Sequence, residues 1–87
     1  MQIRTLSECS LERFDAFCVA QSHRSTAQRR SVVREIFSRN LLFTVDDLLT
    51  RLNARNIPVS RATVFRTLSI LLDAEMISKN KDLYRVL

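Results

Sequence analysis

The chain has no glycine among its 87 residues and a single proline, Pro58. Collagen-like, linker-like and turn-rich all-β chains lean on glycine and proline, so this sequence points away from all three. Its length leaves room for one small domain with one modest core. Hydrophobic residues make up 46%, in keeping with a folded chain and not a disordered one. No apolar run approaches the ~20 residues of a membrane span. The first residues, M-Q-I-R-T-L-S-E-C-S, lack the apolar centre of a secretion signal, so the chain is read as cytoplasmic, with no membrane partner.

The stretch V-S-R-A-T-V-F-R-T-L-S-I-L-L, residues 59–72, predicts the helix around which the rest is arranged. Pro58 cannot sit inside a helix and limits where this one begins. Ser60 is a good N-cap. Ala62, Phe65, Leu68 and Leu72 recur at helical spacing, with Val64 and Leu71 beside them. The other side is expected to carry Arg61, Thr63, Arg66, Thr67 and Ser69, with no acid before Asp73. An acid-free face of arginines and hydroxyls suits insertion into a major groove, and the helix start offers free N–H groups to phosphate.

Elsewhere the pattern is also largely helical. A first helix is expected from Ser7 or Ser10 to about Ser22, with Leu11, Phe14, Phe17 and Cys18 as its stripe and acids in its N-terminal half. Thr26 caps a second, about 27–39, with Val32, Val33, Ile36 and Phe37 on one side and Arg29, Arg30 and Arg34 elsewhere. Asn40 stops it by taking a left-handed conformation. Leu41-Leu42-Phe43 suits a brief strand or core plug. Thr44-x-x-Asp47 approximates a capping box for a third helix whose stripe is Val45, Leu48, Leu49 and Leu52. Arg51 and Arg55 lie towards its end, where positive charge suits the helix dipole. After a turn over 53–59 and the opening helix, Met76 and Ile77 begin a strand. Lys79-Asn80-Lys81-Asp82 makes a polar turn, and Leu83 to Leu87 alternates Tyr84 and Val86 against Leu83, Arg85 and Leu87. The expected fold is mostly α: a winged helix, with a helix-turn-helix and a two-stranded wing, plus an extra N-terminal helix. Residues 1–23 form the extension and 24–87 the winged helix.

Charge is unevenly spread. Residues 24–66 hold nine arginines against Glu35, Asp46 and Asp47, a net of +6, whereas 1–23 carry −1 and 67–87 carry zero. Twelve of the fourteen basic residues are arginine, whose planar fork matches phosphate and guanine. Cys9 and Cys18, which could lie on one helical side, are read as small structural thiols and not a disulfide framework. With His23 the single histidine, no zinc set of usual spacing is available. The lone histidine and the lack of a glycine-rich phosphate loop also argue against an enzyme.

Four segments carry a family likeness. R-S-T-A-Q-R at 24–29, T-V-D-D-L at 44–48, A-T-V-F-R-T-L at 62–68 and L-L-D-A-E-M-I at 71–77 resemble the DNA-binding half of the ferric uptake regulator family, in order and in spacing. The likeness covers roughly residues 22–87. Members are bacterial repressors or activators that respond to metals, peroxide or haem. The resemblance implies that the fourth helix reads the major groove. Phe65 matches the family tyrosine that touches thymine in A-T-V-Y-R-x-L, and Arg66 the adjacent base or phosphate contact. Ser60, Arg61 and Thr63 match the helix start that meets the backbone. Arg24 matches a basic residue that reaches the minor groove of A·T-rich sites, and Thr26 and Arg29 match backbone-contacting positions.

The chain departs from the family at several points. Phe65 has no hydroxyl with which to hydrogen-bond. Glu75 stands where the family has glycine after the recognition helix, and a positive φ there costs about 1 kcal/mol or more. The hairpin tip also lacks glycine. The sequence given ends at Leu87, where the family's dimerisation and metal-binding domain begins, and Leu42 and Phe43 offer no histidine for the hinge metal site. The chain is accordingly read as a DNA-binding domain from a longer regulator in preference to a natural short protein, with no cofactor or metal of its own.

The function expected is sequence-specific double-stranded DNA binding for transcriptional control, with an A·T-rich operator and pairing as a homodimer on palindromic sites. The expected contacts are Arg24, Thr26, Arg29, Ser60, Arg61, Thr63, Phe65, Arg66, and Lys79 and Lys81 of the wing. The competing expectation is a winged-helix protein-protein interaction module that uses Leu11, Phe14 and Phe17 as its partner surface.

Overall fold

The computed structural model of the protein describes residues 6–39 and 42–87. The order of elements is α1 (Leu6–Ala20), α2 (Ala27–Arg39), β1 (Leu42–Phe43), α3 (Val45–Ala54), α4 (Arg61–Asp73), β2 (Ile77–Asn80) and β3 (Leu83–Val86). This is the winged helix expected, with one addition. The two-stranded wing is formed by β2 and β3, and β1 adds a third strand to its sheet. β1 pairs antiparallel with β3, Leu42 opposite Arg85 and Phe43 opposite Tyr84, so the sheet has the order β1-β3-β2. The rings of Phe43 and Tyr84 stack with centroids 5.5 Å apart, which fixes this short pairing by side-chain packing as well as by the ladder. The expected roles of Asn40 and Leu41 lie outside the described residues.

Local hydrogen bonding sets the helix starts. The Arg29 amide donates to Thr26 Oγ1 at 3.1 Å, capping α2. At α3 the box is complete: the Asp47 amide donates to Thr44 Oγ1 and the Thr44 amide to Asp47 Oδ2, each at 3.1 Å. At α4 the Thr63 amide donates to Ser60 Oγ, again at 3.1 Å.

The helix ends show how a chain without glycine turns. At α1, His23 donates to the Cys18 carbonyl and Ser22 to Val19. At α3, Ile57 donates to Leu52 and Asn56 to Asn53. At α4, Met76 donates to Leu71 and Glu75 to Leu72. Each is a Schellman closure, which needs a left-handed residue one place beyond the cap. Ser22, Asn56 and Glu75 take that place with φ of 59°, 58° and 58°. Burial just beyond the turn offsets the strain: Met76 is buried, and Ile57 packs against the core. Glu75 thus adopts the glycine conformation expected at its position.

One cluster forms the core. Leu11, Phe14 and Cys18 of α1 join Val32, Val33, Ile36 and Phe37 of α2, Leu48 and Leu52 of α3, and Val64, Leu68 and Leu71 of α4, closed by Met76, Ile77, Tyr84 and Val86. The partner surface imagined on α1 is therefore absent: Leu11 and Phe14 are buried and Phe17 is half-buried against the core. Cys9 and Cys18 do not share a side. Nine residues at 100° each amount to two and a half turns, which leaves Cys9 exposed and Cys18 buried.

The buried face of α4 also differs from expectation. Val64, Thr67, Leu68, Ile70 and Leu71 are inside, whereas Ala62 and Phe65 face outward. Val64, Leu68 and Leu71 form a helical stripe of their own, rotated from the one through Ala62 and Phe65. Thr67, expected on the polar side, has no exposure, and its hydroxyl donates to the Thr63 carbonyl at 2.8 Å. That bond satisfies the hydroxyl within its own helix and lets it count as a small core side chain.

Candidate nucleic-acid interface

Rotating α4 by about one residue changes what it presents. The outward side carries Ala62, Phe65, Arg66 and Ser69, and Phe65 is 46% exposed. Among the described residues Phe65 is the one large apolar ring in the open, beside an arginine; the other exposed large apolar side chains, Val19, Leu42, Leu83 and Leu87, are aliphatic. Among the described residues, Arg66 makes no ion pair. Ser60 accepts from the Thr63 amide through its hydroxyl and from the Val64 amide through its carbonyl, which leaves the Arg61 and Ala62 amides at the α4 start without an acceptor within the helix.

An open cleft of about 320 Å³ lies between the start of α3, the outward side of α4 and the wing. Arg61, Phe65 and Lys79 line it, together with Asp46, Asp82 and Tyr84. Two of the expected cations thus meet the expected aromatic. Lys79 is not in the turn, as expected, but in β2 opposite Tyr84, with its Nζ 5.5 Å from the centre of that ring. The ring holds the ammonium on the α4 side of the sheet through a cation–π contact. The turn itself is Lys81–Asp82, between the paired Asn80 and Leu83, and Lys81 is exposed there with φ 57°.

A second group sits at the start of α2. Arg24 and Thr26 are exposed and Arg29 is half-buried. Arg29 Nη1 donates to the Arg24 carbonyl at 2.6 Å, which folds this guanidinium back onto the segment that leads into its own helix. Asp15 of α1 anchors the same segment through Ser25 Oγ and lies 3.7 Å from Arg30 Nη2. The expected residues therefore fall into groups: Arg61, Phe65 and Lys79 line the cleft, Ser60 and Thr63 stand at the α4 start, and Arg24, Thr26 and Arg29 stand at the α2 start, with Arg66 and Lys81 exposed and not lining the cleft.

Two features were missed in the sequence. Arg61 is not free: its Nη2 lies 2.7 Å from Asp46 Oδ1 on α3. Arg51 and Arg55 do more than complement the dipole of α3, since both bind Glu35 of α2. The visible signal for the second was Glu35 itself, an acid three residues after Val32, at the edge of the apolar stripe of an otherwise basic helix.

The family model of the ferric uptake regulator matches residues 20–83. No curated protein matches the chain. Among solved structures, a zinc uptake regulator complexed with zinc and DNA superposes with a TM-score of 0.78 at 24% identity, covering 97% of this chain and 57% of that one. A manganese uptake regulator gives 0.65 at 24% identity, covering 85% and 58%. PerR from Streptococcus pyogenes, described in connection with peroxide sensing and gene regulation, gives 0.68 at 21% identity, covering 98% and 59%. The chain spans less than two thirds of each of these proteins, and at such identities the likeness is one of fold. The family match, which runs from the end of α1 into β3, is the stronger finding, and by it the chain belongs to the ferric uptake regulator family.

Proposed function

We propose that the chain binds double-stranded DNA as the DNA-contacting part of a transcriptional regulator, with α4 in the major groove. The observation that carries this reading is the outward side of α4, where exposed Phe65 and Arg66 stand beside a capped helix start and the Lys79 wing. Phe65 would pack on a thymine methyl, Arg66 would reach a base edge or phosphate, and the first amides of α4 would meet the backbone. Arg24, Thr26 and Arg29 would contact the backbone from the α2 start, with Arg24 reaching the minor groove of an A·T-rich site. Lys79 and Lys81 would hold the flanking phosphates. Family membership supports this assignment, as does the zinc uptake regulator captured on DNA. The reading needs no cofactor in these 87 residues. Residues 24–87 act as the winged helix and α1 as its packed extension, and a palindromic operator would be read by a homodimer.

The test is a titration of an A·T-rich duplex with the wild-type chain and with Arg66→Ala. A single domain makes few phosphate contacts, so binding is expected at roughly micromolar or weaker affinity at physiological salt, tightening as salt falls. Arg66→Ala should weaken it several-fold. Equal affinity of the two proteins at low salt would remove α4 from the interface.

A further inference from the structure

We propose that Asp46 tempers phosphate binding at the start of α4: its carboxylate holds Arg61 and competes with DNA phosphate for it. The inference rests on the DNA-binding reading above. Asp46 is the second residue of α3, and capping does not explain it, because Asp47 alone closes the capping box with Thr44. Its carboxylate instead turns to the cleft, where Oδ1 accepts from Arg61 Nη2 at 2.7 Å. The first turn of α4 contains no acid, so the partner of its leading arginine comes from another helix. Both side chains are open to solvent, at 57% for Arg61 and 79% for Asp46, so the pair is an exchangeable surface contact and not a structural lock.

Arg61 stands at the helix start where backbone phosphate would lie, and Phe65 and Lys79 line the same cleft. A phosphate arriving there must either displace the carboxylate or share the guanidinium with it, and in both cases has the carboxylate charge as a neighbour. Binding by backbone charge alone loses the contribution of about one arginine. The base-edge contacts of Phe65 and Arg66 are untouched, because those side chains do not pair with Asp46. Asp46 thereby lowers the sequence-independent part of the affinity and leaves the base-reading part unchanged.

The experiment is a double-mutant cycle of wild type, Asp46→Asn, Arg61→Ala and the double variant. Each full chain is titrated with random-sequence duplex and with an A·T-rich duplex, from low to moderate salt. Asp46→Asn should tighten binding to random duplex by about tenfold at low salt and steepen the log–log salt dependence by about 0.9, the increment for one more neutralised phosphate. The gain should be about the same on both duplexes, since the phosphate contact is common to them. In the Arg61→Ala background the slope increment should vanish. Unchanged slope in Asp46→Asn, or an equal increment with and without Arg61, overturns the inference while leaving DNA binding intact. No salt-dependent duplex binding by any of the four proteins overturns the proposed function and the inference together. Circular dichroism of each variant shows that a lost signal is not lost fold.

Discussion

Arg51 on α3 holds Glu35 on α2 twice: its Nη2 donates to the Glu35 carbonyl at 2.7 Å and its Nε to the carboxylate at 3.1 Å. The second carboxylate oxygen of Glu35 lies 2.7 Å from Arg55 Nε. Only 5% of the Glu35 side chain is exposed, so the carboxylate relies on these arginines for the hydrogen bonds water would give it. One acid thus fixes the angle between the helix that leads into the turn and the helix that packs behind it. Glu35→Gln leaves Arg51 partly buried without its counter-charge and should cost about 3 kcal/mol in urea unfolding. Arg55→Ala should cost under about 1 kcal/mol, because that side chain is half in solvent at 47% exposure. Equal costs would show that the network does not act through burial.

The three Schellman turns give a second prediction. Glutamate in the left-handed region is strained, and glycine is not. Glu75→Gly should raise stability by about 1 kcal/mol, and Ser22→Gly by a similar amount, read as an increase in the urea midpoint at constant slope. Asn56→Gly should change little, since asparagine tolerates this conformation. Loss of stability in Glu75→Gly would mean that unfolded-chain entropy outweighs the strain at φ 58°.

Features that depend on neighbours along the chain could be read in advance. The Thr44–Asp47 box, the Ser60 and Thr26 caps, and the alternation of Tyr84 and Val86 against Leu83 and Arg85 are all local. The turn chemistry at Glu75 was legible for the same reason, once the family likeness pointed to glycine there. Features that depend on distant partners were not legible. Thr67 looks polar, and only the Thr63 carbonyl one turn back makes its burial tolerable. Placing Phe65 in the core instead rotated the expected face of α4. Two-residue β1 has no periodicity to detect, and its pairing with β3 crosses more than forty positions. The Asp46–Arg61 and Glu35–Arg51 pairs span 15 and 16 residues, so no spacing rule reveals them.

Because Phe65 is exposed and its neighbour Val64 is fully buried, the two can be separated by measurement. Phe65→Ala should change stability by no more than about 0.5 kcal/mol. It should nevertheless weaken A·T-rich duplex binding several-fold. Val64→Ala should cost about 2 kcal/mol through the cavity it leaves, with duplex affinity unchanged once corrected for the folded fraction. Phe65→Tyr restores the hydroxyl of the family pattern and should tighten binding if thymine is the contact. A Phe65→Ala variant that loses stability and keeps affinity would place this ring in the fold and not at the DNA.

The two cysteines supply the last prediction. Burial chiefly, and then the charge of Asp15, hold the Cys18 thiol above its ordinary value, against a smaller opposing pull from Arg29. The folded state therefore favours the neutral thiol, and the unfolded chain gives up this proton first as pH rises. Stability from this group is intact below the ordinary thiol value and falls as pH climbs past about 9. Cys18→Ala should remove that part of the alkaline loss while lowering stability at neutral pH through its cavity. Cys9 is exposed, so a thiol reagent at neutral pH should label one cysteine in the native chain and both in denaturant. Cys18 labelling at the rate of Cys9 without denaturant would show that α1 opens from α2 far more readily than its shared core implies.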